Sequence, residues 1–340
     1  MLLRRLQDKP HFESCLIDEG LRTVMVPFNE RSASASAVSL PRGSSIPVPS
    51  GKLVRMFLHW CQPRGSGHTT DLDLSVGFYD RSWQQVGVCS YYELECRGRD
   101  GSLIARSAGD LQDAPWPDGA TELVDVHREP ALATGVRYAV MVLTNYAGLP
   151  FSLLERGFAG LMLRDDPEGS HFDPRTVELK LALGGENGVF LPLVLDLREN
   201  TLHWLDVNSK GSFEMNNVAN SNEAITKICP EYIANFRSGA RPSMFELGLL
   251  HAAARCRRVY VRGATLRGFT RHPDEAADAF LGRLLADAAD EPDARPPVAD
   301  GDPLLALLRD GDIALPEGSP VYVLFRKRLI PTLAASDLLS

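Results

Sequence analysis

The hydrophobic pattern changes character partway along the chain. Up to about residue 164 the apolar residues come in short runs, Leu53–Trp60, Leu72–Tyr79 and Val136–Thr144. Turn signals separate them, among them Pro41-Arg42-Gly43, Arg64-Gly65-Ser66-Gly67 and Pro117-Asp118-Gly119. Short apolar or alternating runs bounded by Gly, Pro and Asp predict strands. Several such strands with no long helical period predict a β-sandwich. Ahead of it, Leu21–Phe28 reads as one strand, and Arg31–Ser39, which alternates serine and alanine, reads as a linker or a poor edge strand.

A polar stretch at 165–173 marks the expected boundary, and three further strands are predicted beyond it, Val177–Leu183, Val189–Leu197 and Thr201–Val207. Helical spacing then takes over. Asn220-x-x-Glu223 and Ser243-x-x-Glu246 match the capping box. Behind the first, Ile225, Ile228, Cys229, Tyr232, Ile233 and Phe236 recur at helical period, and Pro230 predicts a kink or two short helices. The second opens a helix carrying Phe245, Leu249, Leu250 and Ala253. Val259–Arg262 reads as a strand and Asp274–Asp287 as a helix. Asp302-Pro303 reads as the start of a short helix through Leu308, and Val321–Phe325 as a final strand returning to the second domain's sheet. The predicted architecture is an N-terminal segment (1–37), a β-sandwich (38–164) and an α+β domain (174–340) with a Pro-rich acidic linker near 289–303.

Composition narrows the classes. A chain of 340 residues that is 44% hydrophobic can build packed cores, which excludes a disordered protein. Its formal net charge of -8 lacks the basic footprint of a nucleic-acid binder. There is no apolar stretch of about 18 residues, so no membrane span is expected. The start lacks the apolar core of a signal peptide, and the 6 cysteines form no C-x-x-C pair. These features predict a cytoplasmic protein with reduced thiols.

The candidate chemistry is acidic. Asp71 and Asp73 lie two apart on a predicted strand, which turns both carboxylates to one face. Like charges so close repel unless a cation offsets them, and a hard divalent ion suits clustered oxygens. Asp110, in Ser107-Ala108-Gly109-Asp110, and one of Asp118 or Glu122 are candidates to join them, because loops distant in sequence meet at one end of a sandwich. Spacing alone leaves open that these are solvated acids at strand ends, since the chain has no EF-hand loop.

One ordered series stands out. Ser39-Leu40-Pro41-Arg42-Gly43 is followed by Leu58-His59-Trp60 and Thr70-Asp71-Leu72-Asp73-Leu74-Ser75. Ser107-Ala108-Gly109-Asp110 and Glu122-Leu123-Val124-Asp125-Val126 complete it. The series resembles the TerD family of bacterial stress-response and tellurite-resistance proteins, over about residues 38–164. The resemblance implies a β-sandwich that binds calcium through Asp71, Asp73 and the acidic loop near Asp110. The family has a dense acidic run where this chain has Leu111–Thr121 with only Asp113 and Asp118, so one calcium is implied rather than two. The whole chain is similar to a bacterial group that pairs a TerD-like domain with a RING-type finger, but the finger's cysteine pattern is absent. The family fixes no reaction, so the resemblance implies a non-enzymatic binding or signalling role with a protein partner.

Two features of the second half add alternatives. Arg255, Arg257, Arg258, Arg262, Arg267 and Arg271 form a basic stretch, in which Arg257, Arg258 and Arg262 are candidates to receive an acidic partner. Arginines near a helix end also meet the helix dipole without any partner. The asparagines Asn208, Asn216, Asn217, Asn220 and Asn222, with Asp206, His203 and His251, define an alternative reading. In it the second domain is an enzyme with its active site near 208–222, regulated by the sandwich. Asparagines also serve turns and caps, and no P-loop, G-x-G-x-x-G, H-E-x-x-H or G-x-S-x-G occurs.

Overall fold

The computed structural model describes residues 2–27, 40–65, 67, 69–147, 149–165, 177–186, 188–209, 218–294, 303–309 and 319–325. The chain divides into two compact units, Met1–Glu30 with Gly239–Ser340, and Arg31–Ser238.

Helix α1 (Leu2–Gln7) and strand β1 (Phe12–Asp18) come first, followed by a 3-10 turn at Glu19–Thr23. A long β-rich stretch follows, with β2 (Ser45–Pro47), β3 (Leu53–Cys61), β4 (Asp71–Tyr79), β5 (Gln85–Cys89), β6 (Glu95–Arg97) and β7 (Leu103–Ser107). Next are β8 (Ala120–His127), the short helix α2 (Arg128–Ala133), β9 (Tyr138–Ala147), β10 (Arg156–Arg164) and β11 (Val177–Ala182). β12 (Val189–Asp196), β13 (Thr201–Ser209) and helix α3 (Val218–Arg237) close that unit. The chain then continues through α4 (Met244–Arg255), β14 (Cys256–Arg262), β15 (Leu266–Thr270), α5 (Ala277–Leu285), β16 (Leu304–Arg309) and β17 (Val321–Phe325).

The unit formed by the two ends of the chain is built on a 5-stranded sheet in the order β15-β14-β1-β16-β17. β1 lies at its centre, parallel to both neighbours, with Cys15 registered opposite Val259 and Leu304. Parallel strands covered on both faces read as continuous apolar runs. That explains the buried second half of β1 and a face formed by Leu16, Leu305, Leu307, Val321 and Val323. Helix α4 opens on the predicted capping box. The Ser243 hydroxyl accepts from the Glu246 N–H at 3.2 Å, and the Glu246 carboxylate accepts from the Ser243 N–H at 2.7 Å.

The other unit contains two 6-stranded sheets, β11-β10-β3-β8-β7-β6 and β2-β13-β12-β9-β4-β5. The two sheets touch: Glu122 of β8 accepts a hydrogen bond from the backbone of Leu74 in β4 at 2.8 Å. β4 is buried along nearly its whole length. Helix α3 covers part of the second sheet, placing Ile225 and Cys229 among Val140, Val142, Val194 and Leu205. The Tyr232 hydroxyl donates to the Leu205 carbonyl at 2.9 Å.

Several expectations need correction. The stretch at 165–173 does not separate the sheets, because β11 pairs with β10 and β12 pairs with β9. The strands expected to open the second domain, together with α3, therefore belong to the two-sheet unit. Residues expected only as an N-terminal segment supply the central strand of the other sheet. Over its described residues, 21–27, Leu21–Phe28 forms no strand; its start lies in the 3-10 turn, and the strand is β1 upstream. The short helix expected through Leu308 is β16, because Leu304–Leu307 are buried between the parallel strands β1 and β17. Tertiary burial there overrides the Asp-Pro helix-start signal. Helix α3 begins at Val218, so Asn220 lies inside it, and it passes Pro230 as one helix. The Arg31–Ser39 linker and most of the linker near 289–303 lie outside the described residues.

Candidate metal centre

Asp71 and Asp73 sit at the start of β4, opposite Ala147 and Thr144 of β9. A register shift between Asp71 and Leu72 loosens the ladder at that end. Asp110 arrives from the loop after β7. Gly109 there has φ +132°, a conformation that glycine adopts without a Cβ penalty. The preceding turn is tied down, with the Ala108 N–H donating to the Leu123 carbonyl at 2.9 Å and the Gly109 N–H to the Ser107 hydroxyl at 3.3 Å. The result is that one carboxylate oxygen from each of Asp71, Asp73 and Asp110 lies within 4.8 Å of the others.

The electrostatics of this trio are uncompensated. Among the described residues, no Lys or Arg side chain pairs with any of the three. Asp73 is 3% exposed and, among the described residues, receives only the Thr144 hydroxyl, at 3.2 Å. Asp110 receives the Gln112 amide at 3.2 Å. The Asp71 Oδ1 atom is buried and has no hydrogen-bond donor among the described residues. Burial first, then the neighbouring Asp71 charge, raises Asp73 to about 7, against the lowering effect of Thr144, and Asp110 adds to the rise. Asp71 is raised by burial and then by Asp110. A buried carboxylate oxygen without a donor, among like charges and all-oxygen ligands, fits a hard cation.

Glu122 plays a different part from the one expected. It is 2% exposed on β8, and its two oxygens accept from the backbone N–H of Leu74 at 2.8 Å and of Leu111 at 3.0 Å. Those residues directly follow Asp73 and Asp110. Glu122 therefore fastens the two segments that carry the aspartates instead of joining their cluster. Burial raises it to about 8 although both N–H bonds favour its charged form. Asp118 is exposed in its turn and is not brought into the cluster, and Asp113 is exposed as well. Thr144 and Gln62 were not legible as site residues. Gln62 Oε1 accepts from the Thr70 N–H at 2.8 Å, which anchors the entry to β4. Their relevance comes from strand register and loop closure, which local sequence patterns do not carry.

The remaining candidates are scattered. Arg257 and Arg258 are exposed on β14, with Arg257 3.8 Å from Glu13. Arg262 is committed to a two-point bond with Asp18, at 2.5 and 2.7 Å. His203 lies 2.7 Å from the Ser45 hydroxyl, and burial followed by the nearby Arg237 charge depresses it to about 4. Asp206 is buried 3.5 Å from Arg42. His251 is buried in α4, with Nδ1 2.9 Å from Arg255. His203 and Asp206 thus fall in one unit and His251 in the other. Asn208 lies on β13, Asn216 and Asn217 lie outside the described residues, and Asn220 and Asn222 lie on α3.

No helix among the described residues is long and apolar enough to cross a membrane. No family profile matches the chain, and no curated protein matches it. Among solved structures it is similar to a protein of unknown function, SAV2460, with 14% identity over 47% of this chain and 94% of that one, at a TM-score of 0.34. It is also similar to a homologue of telluride resistance protein (TerD) from Streptomyces coelicolor A3(2), with 9% identity over 48% of this chain and 93% of that one, at a TM-score of 0.35. Each of these similarities spans about half of this chain.

Proposed function

We propose that this chain is a non-enzymatic, cytoplasmic stress-response module that binds one Ca²⁺ through Asp71, Asp73 and Asp110 and docks a protein partner. The observation that carries the reading is the trio of carboxylates, within 4.8 Å of one another and paired with no basic side chain among the described residues. Calcium takes six to eight oxygens at about 2.3–2.6 Å, so oxygens on opposite sides of it lie roughly 5 Å apart. The trio supplies the carboxylates, and backbone carbonyls and water complete the shell. Glu122 holds the two ligand-bearing segments together without spending its own oxygens on the ion. For the partner, Arg257 and Arg258 are exposed on β14 and suited to an acidic segment.

The test is calorimetric titration of the metal-stripped chain with Ca²⁺ and, separately, Mg²⁺. A single saturable calcium event that disappears in Asp71→Asn/Asp73→Asn is expected. No heat with millimolar calcium would remove the reading. Partner docking is expected to weaken with salt and on charge reversal at Arg257 and Arg258. The alternative, an enzyme with its site near 208–222, falls largely on residues 210–217, which lie outside the described ones.

A further inference from the structure

A second feature of the two-sheet unit is independent of the carboxylate trio. A cleft of about 640 Å³ opens between the β4–β5 turn, the β6–β7 turn and the end of α2 at Ala133–Gly135. Small-molecule sites commonly fall between about 300 and 1,000 Å³.

Its walls are fixed by their own bonds. In the first turn the Asp80 carboxylate accepts from the backbone N–H of Ser82 at 2.7 Å and of Gln84 at 2.9 Å. Trp83, at φ +61°, is stacked on Tyr138 with ring centroids 4.3 Å apart. In the second turn the Asp100 carboxylate accepts from both the N–H and the hydroxyl of Ser102, and the Gly98 N–H donates to the Ser102 carbonyl at 2.8 Å. A Cβ at Gly98 would stand 2.4 Å from the Thr134 methyl, so this turn sits tightly on the end of α2. Arg97 is bonded to Glu95 and to the Gly101 carbonyl. Both acids and one arginine of the cleft are thereby consumed locally.

Arg81 and Arg99 are not consumed. Each lines the cleft from a different turn and is exposed. Among the described residues, neither makes a hydrogen bond or an ion pair. Two uncommitted guanidinium groups lining one cleft offer a compact anion two forks, each of which matches a phosphate edge in two bonds. Val86 and Ala133 add apolar surface for an organic remainder. We propose that this cleft binds a small phosphorylated molecule, with Arg81 and Arg99 gripping its phosphate from two sides.

The experiment is calorimetric titration of the full chain with glucose 6-phosphate, and separately with citrate, in buffer containing a chelator. The chelator removes any cation held by the aspartates, so failure here and failure of the calcium reading are separate results. Saturable one-to-one binding of the sugar phosphate is expected, weakened at least about tenfold by Arg81→Gln and by Arg99→Gln. Arg198→Gln, exposed on the same unit, is expected to leave it unchanged. The exposed variants should melt like the parent, which excludes misfolding as the cause. No binding at millimolar sugar phosphate overturns the proposal. So does equal weakening by Arg198→Gln, or citrate binding as tightly as the phosphate.

Discussion

Asp18 and Asp73 are both buried carboxylates on β-strands, 5% and 3% exposed, one in each unit. Their surroundings differ in kind. Asp18 ends the central strand β1 and meets the fork of Arg262 in two bonds, while the Leu308 N–H donates to it at 2.8 Å. Asp73 meets one hydroxyl and two further carboxylates. A buried charge is tolerated when opposite charge and donors answer it, and it is costly when they do not. Burial alone therefore does not mark a site. The first aspartate is a structural tie between β1, β14 and β16. The second has a deficit of positive charge that an ion can fill.

The largest test of this contrast removes the answer from Asp18. Arg262→Met should destabilise the protein by about 3 kcal/mol, the low end for a broken buried pair because the Arg262 side chain keeps 31% exposure. The Asp18→Asn/Arg262→Met double variant should recover part of that loss in denaturant unfolding. Asp73→Asn should behave in the opposite way in metal-free protein, holding or raising the melting temperature. A loss at Asp73→Asn equal to that at Arg262→Met would erase the distinction.

Calcium supplies the next effect. A ligand that binds only the folded state stabilises it by about 2.7 kcal/mol at 100 times its dissociation constant. That gain should appear in thermal unfolding of the parent, vanish in Asp71→Asn/Asp73→Asn, and persist in variants at Asp18, which leave the trio intact. Glu122 gives a smaller one. Glutamine keeps one acceptor but turns an N–H₂ toward the other backbone donor, so the Asp73 and Asp110 segments lose one of their two ties. Groups that orient metal ligands typically change affinity by about 10- to 100-fold, and Glu122→Gln should fall near the lower figure. A calcium affinity equal to the parent's would show that the two segments need no such tie.

The contrast was half visible in the sequence. Asp71-x-Asp73 on a strand, and a glycine before Asp110, are local patterns with a direct structural consequence, and the structure gathers those three side chains. Glu122 and Asp118 look alike as acids beyond that glycine. Only the antiparallel register of β8 with β3, and the Leu74 and Leu111 N–H groups, distinguish a buried tie from an exposed turn residue. The Asp18–Arg262 pair spans 244 positions, beyond the reach of any periodicity. The same distance hid the return of β14 and β16 to β1, and with it the fact that the β-rich stretch is inserted, along the sequence, between segments that form one sheet. Leu304–Arg309 carries a helix-start signal and leucines of good helix propensity, and its strand state follows from parallel partners on both sides.

The smallest effect is the pH dependence of metal-free stability, and its sign is diagnostic. Asp73 is raised to about 7 in the folded chain, whereas an unfolded aspartate titrates near 3.9. Between those values the folded state holds a proton that the unfolded state has released. Stability on this account is highest below the unfolded value and falls as pH rises toward and through about 7. The usual carboxylate with a depressed value gives the reverse slope. From pH 6.5 to 8 the part due to Asp73 is on the order of 1 kcal/mol, read as the difference in slope between the parent and Asp73→Asn. Calcium favours the ionised carboxylates, so it should flatten the parent's slope, and its binding at pH 7 should release protons. Equal slopes for parent and Asp73→Asn in chelator would mean that Asp73 is answered in the folded chain as Asp18 is.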